Sequence, residues 1–236
     1  MHIKFIGYGG AFDYKQVNSA AIIKIGSISI LIDCGHSVYP ILKKLNIAEE
    51  IDYVFITHLH DDHVGSLSTF LIDRNFFSTP PKLIFPDFAF KNTLVAFLKF
   101  SMQNPENYFE FMNIKDIGFA NYIDTKNYHV KGMQTFSYIF YEKGEYVVYS
   151  GDLNNPGYLV QKLEEKGIKK GLIFHDISFN KINKAHAYYK EVEKIPAGYN
   201  VTGYHYNAEE VPSDCKVELV GEREEFLFTE NLITVK

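Results

Sequence analysis

The sequence contains no tryptophan and only two cysteines, Cys34 and Cys215, among its 236 residues. Two cysteines cannot build the disulfide framework of a small secreted domain, and their spacing offers no CxxC pair for a thiolate metal site. A reducing compartment is therefore favoured, and any metal ligands have to be histidines and carboxylates. Because tryptophan is absent, phenylalanine and tyrosine must fill the interior, so the aromatic-rich segment 85–122 is interpreted mainly as core.

Positive charge and long apolar runs are also scarce. The chain has 24 Lys and Arg against 29 Asp and Glu, which gives a formal net charge of -5. The surface as a whole therefore lacks the basic excess that non-specific nucleic-acid binding requires. No window reaches the apolar length of a membrane span, and the opening MHIKFIGYGG lacks the pattern of a signal peptide. We expect neither secretion nor membrane insertion, and a cytoplasmic location.

Length and hydrophobic patterning predict an α/β protein. A chain with 46% hydrophobic residues can bury a large core, and we expect a single domain over residues 1–236. The segments IKFIG, AAIIKI and SISILID predict early strands, and HVKGMQTFSYIFYEKGEYVVYSGD predicts a hairpin with its turn at 142–144. Helices are predicted over VYPILKKLNIAEEI, VGSLSTFLIDRNF, AFKNTLVAFLKFSM, LVQKLEEKGI and AHAYYKEVEKI. Residues 104–126 show no sustained hydrophobic periodicity and stay unassigned. The acidic C-terminal tail is predicted to form a last hairpin.

The strongest chemical signal is the run THLHDDH, which directly follows the buried strand predicted over DYVFIT. It fits the pattern H-x-H-x-D-H at His58, His60, Asp62 and His63. Imidazole nitrogens and carboxylate oxygens suit zinc and similar divalent ions, and the short spacing lets the side chains converge. Solvated loops seldom contain such clustered histidines, so the run indicates a metal site.

This run resembles the signature loop of the metallo-β-lactamase fold hydrolases, and the order of the later motifs agrees with that resemblance. His129 follows the middle of the chain, Asp152 lies in YSGD, and His205 ends the segment VTGYH. The aspartate of SISILIDCG, Asp33, likewise resembles the one that braces the metal loop in that family. The resemblance implies a four-layer αββα sandwich, with two mixed sheets face to face, helices outside, and metals at one edge.

The resemblance also implies the roles of the ligands. His58, His60 and His129 would bind a first metal, while the second would be held by Asp62, His63 and His205. Asp152 would bridge the two ions and Asp33 would support the site from behind. Two divalent ions, zinc with manganese or iron as alternatives, would ionise a shared water as the nucleophile, with Asp62 orienting it.

Two further segments resemble the tRNA 3′-processing endonucleases and their phosphodiesterase relatives. LIFHDIS and NKAHAYY occupy the region where those proteins have a strand ending in His-Glu and a histidine opening the next helix. Here Asp176 stands in place of the glutamate, and Ala185 and Ala187 flank His186. A histidine held by a carboxylate could protonate a leaving alkoxide, so His186 with Asp176 is the candidate catalytic pair. Local backbone capping by both residues is the alternative.

We therefore expect a metal-dependent hydrolase that uses a two-metal-bound hydroxide. The favoured substrate is a small phosphodiester, either a cyclic nucleotide or a short oligonucleotide, because the acidic surface and the lack of a basic inserted arm argue against tRNA. Hydrolysis of an ester, thioester or lactone is the alternative within enzymes, and a non-catalytic metal-binding sensor or scaffold is the alternative of another class. A homodimer is also expected from the resemblance.

Overall fold

The computed structural model describes residues 1–13, 15–222, 225–229 and 232–234. The chain divides into two compact units. Unit 1 is made of Met1–Gly7, Val17–Ile117 and Glu224–Lys236, and unit 2 of Tyr8–Gln16 and Gly118–Arg223. The single domain expected over residues 1–236 stays a prediction.

The strands of the described residues form two mixed sheets, as the resemblance implies. In chain order they are β1 (His2–Gly7), β2 (Ala20–Ile25), β3 (Ile28–Ile32), β4 (Tyr53–Phe55), β5 (Lys82–Phe85), β6 (Glu110–Asn113), β7 (Ala120–Asp124), β8 (Phe136–Glu142), β9 (Glu145–Tyr149), β10 (Gly171–Asp176), β11 (Tyr199–Tyr204), β12 (Glu218–Leu219), β13 (Glu225–Thr229) and β14 (Leu232–Thr234). Unit 1 contains the eight-stranded sheet, in the order β14-β13-β1-β2-β3-β4-β5-β6, and unit 2 the six-stranded one, in the order β12-β11-β10-β9-β8-β7.

The sheet of unit 1 changes from antiparallel to parallel pairing at β3. This strand pairs antiparallel with β2 and parallel with β4, and β5 and β6 continue the parallel part. Isoleucine-rich strands suit these positions, because β-branched side chains pack well on a pleated surface. In β3 the residues Ser29–Ile32 are buried without alternation, as expected of a strand covered on both faces. The ends of β3 and β4 place Asp33 and the histidine run.

The sheet of unit 2 is built in the same way. Strands β7, β8 and β9 are antiparallel, and the predicted hairpin is confirmed: β8 and β9 are joined by Lys143 and Gly144, both with positive φ. Strand β10 pairs parallel with both β9 and β11. A core cluster that includes Ile139, Val148 and Ile173 packs under the helix that follows Asn155. The ends of β9, β10 and β11 place Asp152, Asp176 and His205.

The helices are α1 (Val38–Lys44), α2 (Asp61–Val64), α3 (Leu67–Phe77), α4 (Phe88–Leu98), α5 (Pro156–Glu165) and α6 (Tyr189–Val192). Helix α4 begins where the Asp87 side chain accepts a hydrogen bond from the backbone N–H of Phe90 at 2.8 Å. Helix α5 begins in the same way, with the Asn155 side chain accepting from the N–H of Tyr158 at 2.9 Å. Among the described residues, every helix is too short or too polar to span a bilayer.

The structure corrects two of the predicted helices and assigns the segment that the sequence left open. The helix predicted over VYPILKKLNIAEEI ends at Lys44 and gives way to a separate 3₁₀ turn at Ala48–Glu50. The helix predicted over AHAYYKEVEKI is only the single turn of α6. The unassigned residues 104–126 contain β6 and β7, separated by a 3₁₀ turn at Ile114–Asp116. The last predicted hairpin is confirmed by the antiparallel pairing of β13 with β14.

Candidate functional site

In unit 1, the histidine run lies between β4 and α3. The predicted loop is partly helical, because the carbonyl of His60 accepts hydrogen bonds from the backbone N–H groups of His63 and Val64 at 2.9 and 3.0 Å. This single turn, α2, places Asp62 and His63 inward, where both are buried. Gly35 allows the turn to approach β3 closely, since a Cβ at this position would lie only 1.9 Å from the carbonyl oxygen of Asp62.

Asp33 anchors the same loop from behind. Its Oδ2 lies 2.8 Å from Nδ1 of His63, and its Oδ1 accepts a hydrogen bond from the backbone N–H of Thr57 at 2.8 Å. Complete burial raises the pKa of Asp33, and the positive charge and hydrogen bond of His63 offset that shift only in part. Because Asp33 engages Nδ1 of His63, Nε2 is the nitrogen of that ring left for a metal. The supporting role expected for Asp33 thus has a structural basis.

Four side chains of this loop bring donor atoms close together. Nε2 of His58 lies 3.0 Å from Nδ1 of His60, and Nε2 of His63 lies 3.2 Å from Oδ2 of Asp62. The rings of His58 and His63 are 4.0 Å apart, and both residues are fully buried. Imidazole and carboxylate donors are the set that divalent metals such as zinc select. The donor chemistry of unit 1 therefore fits a metal.

In unit 2, the predicted bridging carboxylate faces two predicted histidine ligands. Oδ2 of Asp152 lies 3.6 Å from Nε2 of His129, and its Oδ1 lies 3.7 Å from Nε2 of His205. These separations are too long for hydrogen bonds. Each separation suits a pair of ligands that share one ion, because two donors each about 2.0–2.1 Å from a metal lie within roughly 4 Å of one another. His129 is fixed by a hydrogen bond from its Nδ1 to the carbonyl of Ala185 at 2.8 Å, which leaves Nε2 for the metal.

Asp152 and His205 both depend on turns at strand ends. Asp152 follows Gly151, which has a φ of 61°, at the end of β9. His205 directly follows β11 and has a φ of 64°. Asp33 directly follows β3 and has a φ of 60°. A positive φ is uncommon for residues other than glycine, and strained positions of this kind are often found at functional sites. The backbone of these turns directs the side chains away from the strands.

The candidate catalytic pair is formed as the sequence predicts. Nδ1 of His186 lies 2.9 Å from Oδ2 of Asp176 and 3.7 Å from Oδ2 of Asp152. The other oxygen of Asp176 accepts a hydrogen bond from the backbone N–H of Leu153 at 3.0 Å. The ring of His186 stacks on that of His205, with centroids 4.9 Å apart. Asp176 therefore sets the orientation of His186 next to the metal-binding candidates of unit 2.

Two neighbouring histidines oppose the effect of burial on Asp176. Full desolvation acts to raise the pKa of this carboxyl, but hydrogen bonds from His175 and His186, together with their positive charge, outweigh it and bring the pKa below its usual value. A carboxylate in contact with His186 favours the protonated form of that ring. The pair can therefore supply a proton to an oxygen that approaches Nε2 of His186.

Asp152, His186 and His205 also form a group that could hold a metal ion by itself, because each offers a ligand atom within 4.8 Å of the others. All three belong to unit 2. The contact of His186 with Asp176 resembles the carboxylate–histidine arrangement that orients metal ligands, so this geometry also suits a ligand role. In both roles Asp176 would hold Nδ1 of His186 and fix the orientation of the ring.

Sequence reasoning missed three supporting residues. The Oγ1 of Thr57 lies 2.9 Å from Oδ2 of Asp33, and Ser150 accepts a hydrogen bond from the backbone N–H of Asp176 at 2.9 Å. The third is His175, whose Nδ1 lies 2.8 Å from the carbonyl oxygen of Asp176 and 3.2 Å from its Oδ1. Thr57 is the first residue of the run THLHDDH, and Ser150 lies in YSGD directly before Gly151 and Asp152. Their location at these motifs was the signal in the sequence that could have indicated a supporting role.

Comparison with known proteins agrees with this geometry. The model of the family described as "Anti-Pycsar protein Apyc1" matches residues 1–226. A protein of that name from Paenibacillus harenae is 29% identical over 212 residues, which is 83% of this chain and 85% of the relative. Ribonuclease Z from Oceanobacillus iheyensis is 29% identical over 195 residues, 77% of this chain and 60% of the relative. The metallo-β-lactamase fold protein YhfI from Bacillus subtilis superimposes with a TM-score of 0.70 at 16% identity, covering 92% and 95% of the two chains.

The expected resemblance to metallo-β-lactamase fold proteins and to the tRNA-processing branch is thus confirmed, and so is the fold class. The coarse functional expectation, a metal-dependent hydrolase, agrees with these relatives, with the close donor atoms of the histidine run in unit 1 and with the group Asp152, His186 and His205 in unit 2. Binding of divalent metal is supported on the same grounds.

Proposed function

The chain belongs to the Anti-Pycsar protein Apyc1 family, and for it we propose a metal-dependent phosphodiesterase activity on a small phosphodiester, a cyclic nucleotide or a short oligonucleotide. The observation that carries the proposal is the pairing of His186 with Asp176 at 2.9 Å, beside Asp152 and His205. Hydrolysis of a thioester releases a thiolate, which is a good leaving group and has little need of an acid. Release of a sugar alkoxide from phosphorus needs a proton donor, which this pair can supply.

The proposed metal ligands are those implied by the resemblance. We propose two divalent ions, with zinc best suited to the donors, held by His58, His60, Asp62, His63, His129, Asp152 and His205. Bound ions would lower the pKa of a coordinated water to about 7 and offset the charge of the phosphoryl oxygens. Nδ1 of His63 is engaged by Asp33 and Nδ1 of His129 by a backbone carbonyl, so Nε2 is the ligand atom of both rings.

The residues of the chain supply the remaining steps. We propose that Asp62 orients the attacking water, which loses one proton to solvent and whose oxygen forms the new bond to phosphorus. As the bond from phosphorus to the leaving oxygen breaks, Nε2 of His186 gives its proton to that oxygen. Asp176 holds the Nδ1 proton throughout and stabilises the imidazolium before the transfer. The products are a phosphomonoester and an alcohol, or the opened nucleotide when the substrate is cyclic.

The test combines a substrate panel with one variant. Metal-replete protein is assayed on cyclic nucleotides, bis-p-nitrophenyl phosphate, a lactone and a thioester, and His186→Ala is assayed on each substrate that is cleaved. We expect kcat on a cyclic nucleotide to fall about 10²- to 10⁴-fold in the variant. On bis-p-nitrophenyl phosphate the loss should be far smaller, because p-nitrophenolate leaves without a proton.

The matched control is His36→Ala, which removes an exposed histidine that also faces a carboxylate, Oδ2 of Asp61, at 3.3 Å. This variant should keep the wild-type kcat. An equal loss on both phosphodiesters in His186→Ala would remove the acid role from His186. Cleavage of the thioester or lactone alone would replace the phosphodiesterase proposal, and uniform inactivity of metal-replete protein would favour a metal-binding scaffold.

A further inference from the structure

Asn154 lies two residues after Asp152 and connects three loops of unit 2. Its backbone N–H donates a hydrogen bond to the carbonyl of Tyr128 at 2.7 Å, and Tyr128 directly precedes His129. The side-chain NH₂ of Asn154 donates to the carbonyl of Lys184 at 2.6 Å. Asn154 therefore joins the loop of Asp152 to the loop of His129 and to the segment that begins at Lys184.

That segment makes a contact at each of three consecutive residues. The first contact is the hydrogen bond accepted by the carbonyl of Lys184. The carbonyl of Ala185 then lies 2.8 Å from Nδ1 of His129, and Nδ1 of His186 lies 2.9 Å from Oδ2 of Asp176. The rings of His129 and His186 are 5.1 Å apart. A shift of the segment would therefore move the acceptor of His129 and the ring of His186 together.

Local hydrogen bonds shape this segment without joining it to the loop of Asp152. The side-chain oxygen of Asn183 accepts from the N–H of Ala185 at 3.0 Å, and the N–H of Asn183 donates to the carbonyl of Asn180 at 3.1 Å. These bonds lie within one loop and would move with it. The hydrogen bond from Asn154 comes from a different loop, so it links the position of the segment to that of Asp152.

The two contacts of Asn154 differ in how much support they have. The ring of Tyr128 also stacks on Tyr158 of α5, with centroids 4.2 Å apart, and the hydroxyl of Tyr158 donates to the carbonyl of Asp124 at 2.9 Å. Among the described residues, the carbonyl of Lys184 has the Asn154 side chain as its hydrogen-bond partner. Loss of that side chain would release Lys184 and leave the backbone bond to Tyr128 in place.

The chemistry of an amide side chain suits this position. A backbone carbonyl can only accept a hydrogen bond, so the atom of Asn154 that faces Lys184 is the amide nitrogen. Leucine has nearly the same shape as asparagine but carries no donor. Because Asn154 is half-buried, water would replace the lost hydrogen bond only in part.

We propose that Asn154 is a positioning residue that holds the segment 184–186 in place relative to Asp152. Through this segment it fixes the carbonyl that engages Nδ1 of His129 and the location of His186 beside Asp152. The inference rests on the proposed metal ligands and acid, and it adds a residue that neither binds metal nor transfers a proton.

The first experiment measures zinc affinity in Asn154→Leu and Asn154→Ala. Both variants keep the backbone N–H and lose the side-chain donor, and only the second removes bulk. The dissociation constant for zinc should rise about 2- to 10-fold in each, the range that loss of one net hydrogen bond produces. The matched control is Asn155→Ala, which removes the neighbouring side chain that accepts from the N–H of Tyr158 and caps α5. It should lower the melting temperature and leave zinc affinity unchanged.

Two further readouts separate positioning from stability. The visible absorption bands of Co²⁺-loaded protein respond to coordination geometry, so they should shift in both Asn154 variants and keep the wild-type form in Asn155→Ala. Hydrogen–deuterium exchange of metal-free protein should become faster in residues 183–189 of the Asn154 variants, because the segment has lost its link to another loop.

The outcomes distinguish the inference from the proposal on which it rests. Wild-type zinc affinity and a wild-type cobalt spectrum in both Asn154 variants would overturn the inference and leave the proposed ligands intact. Changes of the same size in Asn155→Ala would also overturn it, because they would follow from lower stability alone. Absence of zinc binding by the wild type would instead remove the proposed ligand set.

Discussion

The Oδ2 atom of Asp33 lies 2.8 Å from Nδ1 of His63, and both residues are completely buried. We expect Asp33→Asn to weaken zinc binding about 10- to 100-fold, because the amide cannot stabilise the donor form of His63 as a carboxylate does. Asparagine also tolerates the positive φ of this position, so the backbone should be kept. Competition against a chromogenic chelator measures the affinity.

The control for Asp33→Asn is Asp52→Asn, which alters a carboxylate of the same unit that accepts from the backbone N–H of Ser29 at 2.8 Å. Its zinc affinity should equal that of the wild type. Wild-type affinity in Asp33→Asn, with the fold intact by circular dichroism, would show that Asp33 does not support the metal loop.

Gly35 permits the close approach of the metal loop to the end of β3. Gly35→Ala should displace the backbone at Asp62, since the new Cβ would lie 1.9 Å from the Asp62 carbonyl oxygen and no side-chain rotation relieves that overlap. We expect a lower melting temperature and loss of bound zinc by elemental analysis. Gly118→Ala is the control, because a Cβ there would meet none of the described residues within 4 Å apart from its chain neighbours. Equal zinc content and melting temperature in the two variants would contradict the steric argument.

Arg74 is a buried cation that joins several loops of unit 1. Its guanidinium donates to the carbonyls of Ala48 and Ile51 at 2.5 and 2.9 Å, to the carbonyl of Thr79, and to Oγ of Ser78 at 2.7 Å. Lysine has a single ammonium and cannot reproduce this fork. Arg74→Lys should therefore lower the free energy of unfolding by about 2–4 kcal/mol, because buried carbonyls lose their donors.

Urea denaturation measures the change at Arg74. Lys24→Ala provides the comparison, since it removes an exposed ion pair with Glu50 at 2.8 Å and should cost less than about 1 kcal/mol. A similar small loss for both variants would mean that water satisfies the carbonyls around Arg74 as well as the guanidinium does.

The two cysteines should differ in reactivity. Complete burial raises the pKa of Cys34 to about 12, and Cys215 is only partly buried, with a more modest rise in pKa from the same cause. Because the thiolate is the reactive form, a thiol reagent at pH 8 should modify Cys215 slowly and leave Cys34 intact until the protein is unfolded. Mass spectrometry of peptides locates the label. Rapid modification of Cys34 in folded protein would contradict its burial.

Local patterns allowed most of the strands to be predicted. The β8–β9 hairpin has alternating or apolar strands on either side of a tight turn, and both signals lie within a few residues of each other. Residues 104–126 were not assigned because β6 pairs with β5, whose Lys82–Phe85 lie well before it in the chain. The position of a short strand of this kind is determined by its pairing with a neighbouring strand. No local hydrophobic periodicity reveals that pairing.

The region of His186 shows how tertiary contacts override a helical pattern. The N–H of Ser178 donates to the carbonyl of Ala187, and the N–H of Tyr189 donates to the carbonyl of Ser178, so the chain here is tied to the end of β10. These bonds and the contact of His186 with Asp176 hold the backbone extended before α6 begins. The hydrophobic periodicity of AHAYYKEVEKI predicts a longer helix because it carries no information about these tertiary hydrogen bonds.

The residues of the candidate site could be predicted where they belong to a short, recognisable sequence motif. The histidine run and Asp33 lie together in unit 1, and the four residues predicted in the second half, with Asp176, lie together in unit 2. The supporting hydroxyls of Thr57 and Ser150 were missed, since serine and threonine are too common for their presence to indicate a role. The expected homodimer stays a prediction.

The left-handed backbone at Asp33 and His205 constrains these positions in a second way. In a saturation library at either position, a substitution must first be compatible with the left-handed backbone for the protein to fold. It must then preserve the role of the side chain at the site for the protein to be active. Glycine and asparagine should recur among well-folded but inactive clones, whereas valine and isoleucine should be rare even among the inactive ones. Tolerance of substitution at these two sites would then report backbone geometry as much as ligand identity.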